Sequence, residues 1–328
     1  MKALVCHAYG PVDALKIEEV PDPKPVSGEV LIGVRACGIN FPDLLVVQGK
    51  YQFRPTPPFS PGGEVAGVVE AVGAGVSGVK VGDRVVAMGP SGGIAEKFVT
   101  DASRTIPIPQ GVDFASAVCL PTAYGTTLHA LRDRAQLREG ESLLVLGAAG
   151  GVGLSAVQIG KRMGARVIAA ASSAEKLAVC KQAGADDVVD YGSEDLKERV
   201  KALTNGAGVD VVYDPVGGPY SEPALRATGW QGRFLVIGFA AGEIPRIPLN
   251  LTLLKGCSIV GVFWGMAMMR DPARLRGELV ELLAWTADGS LKPHVHARYP
   301  LDRALDALKD VESRKVRGKA VVVVGGEA

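Results

Sequence analysis

Residues 143–176 read LLVLGAAGGVGLSAVQIGKRMGARVIAAASSAEK, an apolar run, a turn crowded with glycine, a stretch of helical period and a second apolar run. The turn keeps the spacing A-x-G-x-x-G, with Ala148 where the first glycine usually stands and Gly147 just before it to share the tight-turn role. Gly150 lets a backbone approach a diphosphate, Gly153 lets the helix pack closely on the strand, and the helix start at Gly151 and Val152 offers N–H groups to phosphate oxygens. A glycine pattern alone also makes ordinary turns. Here a strand precedes it and a helix follows it, which is the context that marks a dinucleotide site.

The end of the second apolar run refines the ligand. A dinucleotide with both ribose hydroxyls free usually meets Asp or Glu about 20 residues after the turn. This chain instead has Ala171, Ser172 and Ser173. Small hydroxyl side chains leave room for a 2′-phosphate, Lys176 supplies a positive charge beside it, and Tyr191 closes the same pocket. These residues point to NADPH. An alternative stays open, in which Glu175 holds the ribose and Lys176 is a solvated lysine at a helix start.

The elements that must position these residues follow from texture. From about residue 123, apolar runs alternate with helical patterns: LLVLG then SAVQIGKRMG, RVIAAA then AEKLAVCKQAG, DDVVDY then EDLKERVKALT, VDVVYD then PYSEPALRATG, and FLVIG. Such alternation predicts βαβ units and a parallel sheet. The first 120 residues carry short β-rich runs between Gly and Pro clusters such as PDPKPVSG and RPTPPFSPGG, the pattern of a compact β unit. With 328 residues, 47% of them hydrophobic, the chain is long enough for two domains.

Composition excludes some partners. The 36 Lys and Arg nearly balance 35 Asp and Glu, with no long run of one sign, so neither nucleic acid nor a membrane surface is expected and a small molecule is the natural partner. Five dispersed cysteines with no CxxC pair argue against a disulfide framework and for a reducing compartment, and no secretory or spanning segment is legible. The expected location is cytoplasmic.

On CGINFPD (37–43), PGGEVAGVV (61–69), VGDRV (81–85), LPTAYGTT (120–127), GAAGGVG (147–153), VVYDPVGG (211–218) and VRGKAVV (316–322), the chain resembles the zinc-free, ζ-crystallin-like quinone oxidoreductases of the medium-chain dehydrogenase/reductase superfamily. The resemblance covers essentially the whole chain. It implies an α/β architecture: a GroES-like β-rich catalytic domain, 1–122 with a C-terminal return over 264–328, and a doubly wound Rossmann domain over 123–263, with the active site in the cleft. It also implies a homodimer formed by edge strands, for which CSIVGVFW (257–264) is the candidate.

Zinc enzymes of the superfamily carry C-G-x-C-H-x-D, G-H-E and a later Cys as metal ligands. The corresponding residues here are Asn40, Gly63 and Val118, which cannot make a zinc site. Cys119 beside Val118 is a single thiol. No metal is expected, and the chemistry narrows accordingly. An alcohol–ketone exchange needs a Lewis acid for the alkoxide. A quinone or an α,β-unsaturated carbonyl takes hydride at a conjugated position and needs only a proton or a hydrogen bond. The resemblance places Tyr51 at the substrate, as a hydrogen-bond or proton donor, and Asn40 nearby, orienting substrate or ribose; a loop aromatic and a turn residue are the plain alternatives. It further implies cofactor contacts from Thr122, Gly238, Phe239, Val262, Phe263, Trp264 and Arg317 or Lys319, each of which packing alone could also explain. Asp43 and Asp214 read as structural acids.

The expected function is NADPH-dependent transfer of hydride to a quinone or another activated double bond. Two alternatives stay open: reduction of an enoyl-CoA, with Arg54, Arg246, Arg270 and Arg274 as candidates for the CoA phosphates, and an NADPH-binding structural or RNA-binding protein without turnover.

Overall fold

In the computed structural model, which describes residues 1–325, the chain divides by its contacts into two units, Met1–Thr122 with Arg276–Ala328 and Ala123–Leu275. The second unit is a six-stranded sheet, every neighbouring pair parallel. From one edge its strands are Asp187–Asp190, Arg166–Ala171, Ser142–Val145, Val209–Asp214, Thr228–Val236 and Ser258–Gly261. The first of these strands in sequence, Ser142–Val145, is thus central, and the strand order reverses beside it. Its strands are near-continuous apolar runs because a parallel sheet is covered on both faces; Leu144, Ile168, Val189 and Val212 are all fully buried in one core. Helices Gly151–Arg162, Ala174–Gln182, Leu196–Leu203, Ser221–Arg226 and Asn250–Lys255 lie in the five crossovers.

The first unit is built on a sheet in the order Val295–Pro300, Lys319–Val323, Glu29–Ile39, Glu64–Val72, Arg84–Met88, Thr105–Pro107, with Lys97–Asp101 also paired to Glu29–Ile39. The C-terminal strand returns to it antiparallel, Ala320 opposite Ile39 and Val323 opposite Ala36.

The return comes later than the expected 264. Trp264 is buried in the second unit, where a side chain on Gly125 would meet its indole at 2.8 Å. Helix Trp264–Arg270 therefore stays with that unit. The change falls within helix Pro272–Ala287, where the Arg276 guanidinium donates to the Ser103 and Thr105 carbonyls of the first unit.

Tight helix–strand packing makes Gly153 indispensable: a Cβ there would lie 2.3 Å from the Gly147 carbonyl oxygen and 2.7 Å from the Ala148 Cα, both backbone atoms that cannot swing aside. Gly153→Ala is expected to lower stability by about 1–3 kcal/mol, read as a shifted denaturant midpoint at unchanged slope. An unchanged midpoint would show that the turn relaxes freely.

Candidate active site

The glycine turn is built by the strand before it and the helix after it. Strand Ser142–Val145 delivers the chain to Gly147, whose φ of +56° suits glycine, and Gly150 caps helix Gly151–Arg162 in extended conformation. The Leu154 N–H bonds the Gly150 carbonyl at 2.8 Å and opens the helical ladder. The N–H groups of Gly151, Val152 and Gly153 precede it and have no carbonyl behind them within the helix, which is what an anionic diphosphate needs.

At the end of the neighbouring strand Arg166–Ala171, Ser173 caps helix Ala174–Gln182, its hydroxyl accepting from the Lys176 N–H at 3.4 Å. The Lys176 ammonium lies 3.2 Å from the exposed Ser172 hydroxyl. Tyr191 follows the next strand, its N–H on the Ala171 carbonyl and its ring against Tyr220 with centroids 4.4 Å apart. Ser172, Lys176 and Tyr191 thus share one end of adjacent strands. Glu175, exposed on the first turn of the same helix, lies beside them.

The remaining candidates of this unit extend the same edge. Gly238 and Phe239 follow strand Thr228–Val236, with the Gly238 N–H on the Asp214 carbonyl. Val262 donates to the Val236 carbonyl at 3.1 Å; Phe263 beside it is half exposed, and Trp264 is buried. Asp214 accepts from the N–H groups of Val216 and Gly217 and from the Ser221 hydroxyl, the structural role expected of it. All of these lie at or beyond the carboxyl ends of the parallel strands, where open α/β sheets bind ligands.

In the first unit a buried polar cluster dominates. Glu64, wholly inaccessible, pairs with Lys319, which is 4% exposed. The same carboxylate accepts from the Asn40 side-chain amide at 2.8 Å and from the Thr122 N–H at 2.9 Å, while the Asn40 carbonyl oxygen takes the Lys319 ammonium. Asn40 and Thr122, two site candidates far apart in sequence, therefore meet on one carboxylate. Lys319 is corrected as a possible cofactor contact, since it is buried and committed to Glu64. Glu64 itself went unremarked in the sequence, although a lone acid in GGEVAGVV and a lone base in GKAVVVV were the available signal.

Asp43 accepts from the Asn40 N–H at 2.7 Å, and burial pushes its carboxyl up to about 7 against the lowering effects of that bond and of Lys319. Tyr51 lies close enough to feel it: burial first, then the Asp43 charge, raises the phenol, which stays protonated at neutral pH. Arg317 stands by His294 and His296, whose imidazoles are shifted down by burial and then by its charge.

The three positions equivalent to zinc ligands do not fit a metal. Asn40 spends its amide on Glu64 and Lys319, Gly63 and Val118 carry no donor, and burial pushes the adjacent Cys119 thiol up to about 12 while it donates to the Ala115 carbonyl. Among the described residues no group of three His, Cys, Asp or Glu could hold an ion, and no helix is long and apolar enough to cross a membrane.

A parallel sheet whose order reverses at a glycine turn, carried by a chain that also builds a β-rich unit from both its ends, has the two-unit architecture of the α/β oxidoreductases. Two family models agree with this: residues 26–110 match the alcohol dehydrogenase GroES-like domain and residues 151–285 the zinc-binding dehydrogenase domain. The chain is 41% identical to quinone oxidoreductase-like protein 2 of Rattus norvegicus over 94% of its length and 88% of the relative's. It is 34% identical to the quinone oxidoreductase of Rattus norvegicus, covering 99% and 98%. The Escherichia coli quinone oxidoreductase solved in complex with NADPH superimposes with a TM-score of 0.90 at 30% identity, covering 98% and 100%. The chain belongs to the quinone oxidoreductase branch of the medium-chain dehydrogenase/reductase superfamily.

The buried Asp43 gives a sign to the pH dependence of stability. Its folded pKa of about 7 lies above the ordinary aspartate value near ~3.9, so the folded state holds the proton more tightly. Its contribution is full below about pH 4 and is lost as pH rises through 7. Asp43→Asn, which keeps an acceptor for the Asn40 N–H, is expected to flatten the fall in stability between pH 4 and 7 in denaturant titrations. An unchanged slope would place the proton elsewhere.

Proposed function

We propose that the protein uses NADPH to reduce a quinone or another activated α,β-unsaturated carbonyl, without a metal. The observation that carries the NADPH reading is the Lys176 ammonium held 3.2 Å from the Ser172 hydroxyl at the strand end where an acid would meet an unphosphorylated ribose. The NADPH complex of the related Escherichia coli enzyme supports it. In this reading the N–H groups of 151–153 hold the diphosphate, Ser172, Ser173 and Lys176 the 2′-phosphate with Tyr191 beside them, and Gly238, Phe239, Val262, Phe263 and Trp264 line the way to the nicotinamide, which Thr122 meets. Arg317 remains a candidate for the phosphate or ribose side.

Bound NADPH supplies the hydride. The residues of the chain manage the charge it creates. Hydride added to a conjugated carbon leaves an enolate or quinol anion, and the Tyr51 phenol, neutral at physiological pH, hydrogen-bonds that oxygen or delivers its proton. Asn40, with its amide fixed by Glu64 and Lys319, shapes the wall beside it. An acceptor of this kind requires no Lewis acid, in keeping with the donor-poor residues at 40, 63 and 118. The protein is proposed to be a homodimer joined through the edge strand Ser258–Gly261, where Ile259 is 39% exposed. Sedimentation should then give a dimer for the protein and a monomer for Ile259→Lys.

NADPH and NADH oxidation is to be followed at ~340 nm against simple quinones and short enoyl-CoAs, with a chelator throughout. Chelator-insensitive, NADPH-selective turnover of quinones is expected. Faster turnover of the enoyl-CoAs would move the acceptor to thioesters, and NADPH binding with no turnover of either panel would favour a non-catalytic role. Lys176→Ala should raise the KM for NADPH roughly tenfold, the worth of one charge-assisted hydrogen bond of about 1.5 kcal/mol, and leave that for NADH unchanged. Equal effects on both cofactors would contradict the 2′-phosphate assignment.

A further inference from the structure

We propose that Glu64 is a positioning residue for hydride transfer, holding Thr122 and Asn40 in register. The inference rests on the reading that Thr122 meets the nicotinamide and Asn40 the acceptor.

Glu64 opens strand Glu64–Val72, and Lys319 opens strand Lys319–Val323. The two strands are not neighbours: Glu29–Ile39 runs between them. The pair closes across that strand at Gly38, where a Cβ would lie 2.4 Å from a Glu64 carboxylate oxygen and 2.9 Å from the Lys319 Cε. A residue without a side chain is what lets the charges meet.

Burying such a pair stabilises little, because desolvation offsets most of the attraction and apolar replacements often do as well. What the charges provide here is direction. With one oxygen on Lys319 and the Asn40 amide, the other is left for the Thr122 N–H at 2.9 Å. The Asn40 amide cannot flip, since its nitrogen faces a carboxylate and its oxygen an ammonium. Thr122 lies in the wide, π-type turn Leu120–Tyr124, whose geometry takes backbone groups out of the regular α-helical ladder. Glu64 holds one of these N–H groups, and with it the position of the threonine.

Glu64→Gln puts an amide where only acceptors fit, so it releases at least one of Lys319, Asn40 and the Thr122 N–H. Placement errors near ~1 Å are enough to slow a reaction a hundredfold. In the full-length protein with NADPH and a quinone, kcat is expected to fall at least about tenfold. The dissociation constant for NADPH should stay within about threefold, because the diphosphate and 2′-phosphate sites lie on other residues. The primary isotope effect on kcat with NADPH deuterated at the transferred position should rise, because hydride transfer becomes the slow step. A merely structural role would lower the melting temperature and leave kcat per folded molecule and the isotope effect unchanged; that result overturns the proposal. Where Glu64→Gln does not fold, Glu64→Gln/Lys319→Met removes the unpaired buried ammonium and is expected to show the same loss of kcat and the same rise in isotope effect, wild-type values in it again being contradictory. Absence of turnover of quinones and enoyl-CoAs alike in the unsubstituted protein would instead refute the proposed function.

Discussion

The buried attraction between Glu64 and Lys319 is the constraint around which the first unit is arranged. Two charges removed from water must find each other and fill their remaining hydrogen-bonding capacity, or the folded state loses several kcal/mol. Meeting that demand fixes much else. Gly38 must lack a side chain, the last strand must return beside Glu29–Ile39, and the ends of both strands must lie at one level. The carboxylate then reaches Asn40, which opens helix Phe41–Val47, and the Thr122 N–H. A single ion pair thereby ties together residues from positions 40, 64, 122 and 319.

The second unit obeys a different constraint, close approach of backbone to backbone. Gly153 lies almost against the Gly147 carbonyl, so the helix begins directly over the end of the first strand and directs its N–H groups past it. Parallel pairing brings the ends of six strands to one edge, and each contributes a loop there. Where an unphosphorylated ribose usually meets an acid, this strand end carries a capping serine, an exposed serine and a lysine.

Much of this was legible in the chain. The parallel sheet showed because its strands are buried on both faces and appear as short apolar runs such as LLVLG and VDVVYD, separated by helical patterns and glycines. The turn showed because its glycines sit where strand gives way to helix. The place where the chain returns to the first unit did not show, since Pro272–Ala287 is one continuous helix and the division within it depends on Arg276 reaching the carbonyls of Ser103 and Thr105. The Glu64–Lys319 pair was half visible. Each is a charge opening a largely apolar strand, yet they are partners only because a third strand and a glycine lie between them, which no local pattern encodes. Lys319 accordingly read as a possible cofactor contact when it is a buried counter-ion.

The proposed NADPH preference stands or falls with the end of strand Arg166–Ala171, where Ser172, Ser173 and Lys176 would meet a 2′-phosphate. Displacement of a bound fluorescent nucleotide by adenosine 2′,5′-bisphosphate and by adenosine 5′-monophosphate isolates that pocket from the nicotinamide and from all chemistry. Binding of the bisphosphate at least about tenfold more tightly is predicted, from one charge-assisted contact to Lys176. Equal binding of the two, or preference for the monophosphate, would contradict it and give the ribose to Glu175.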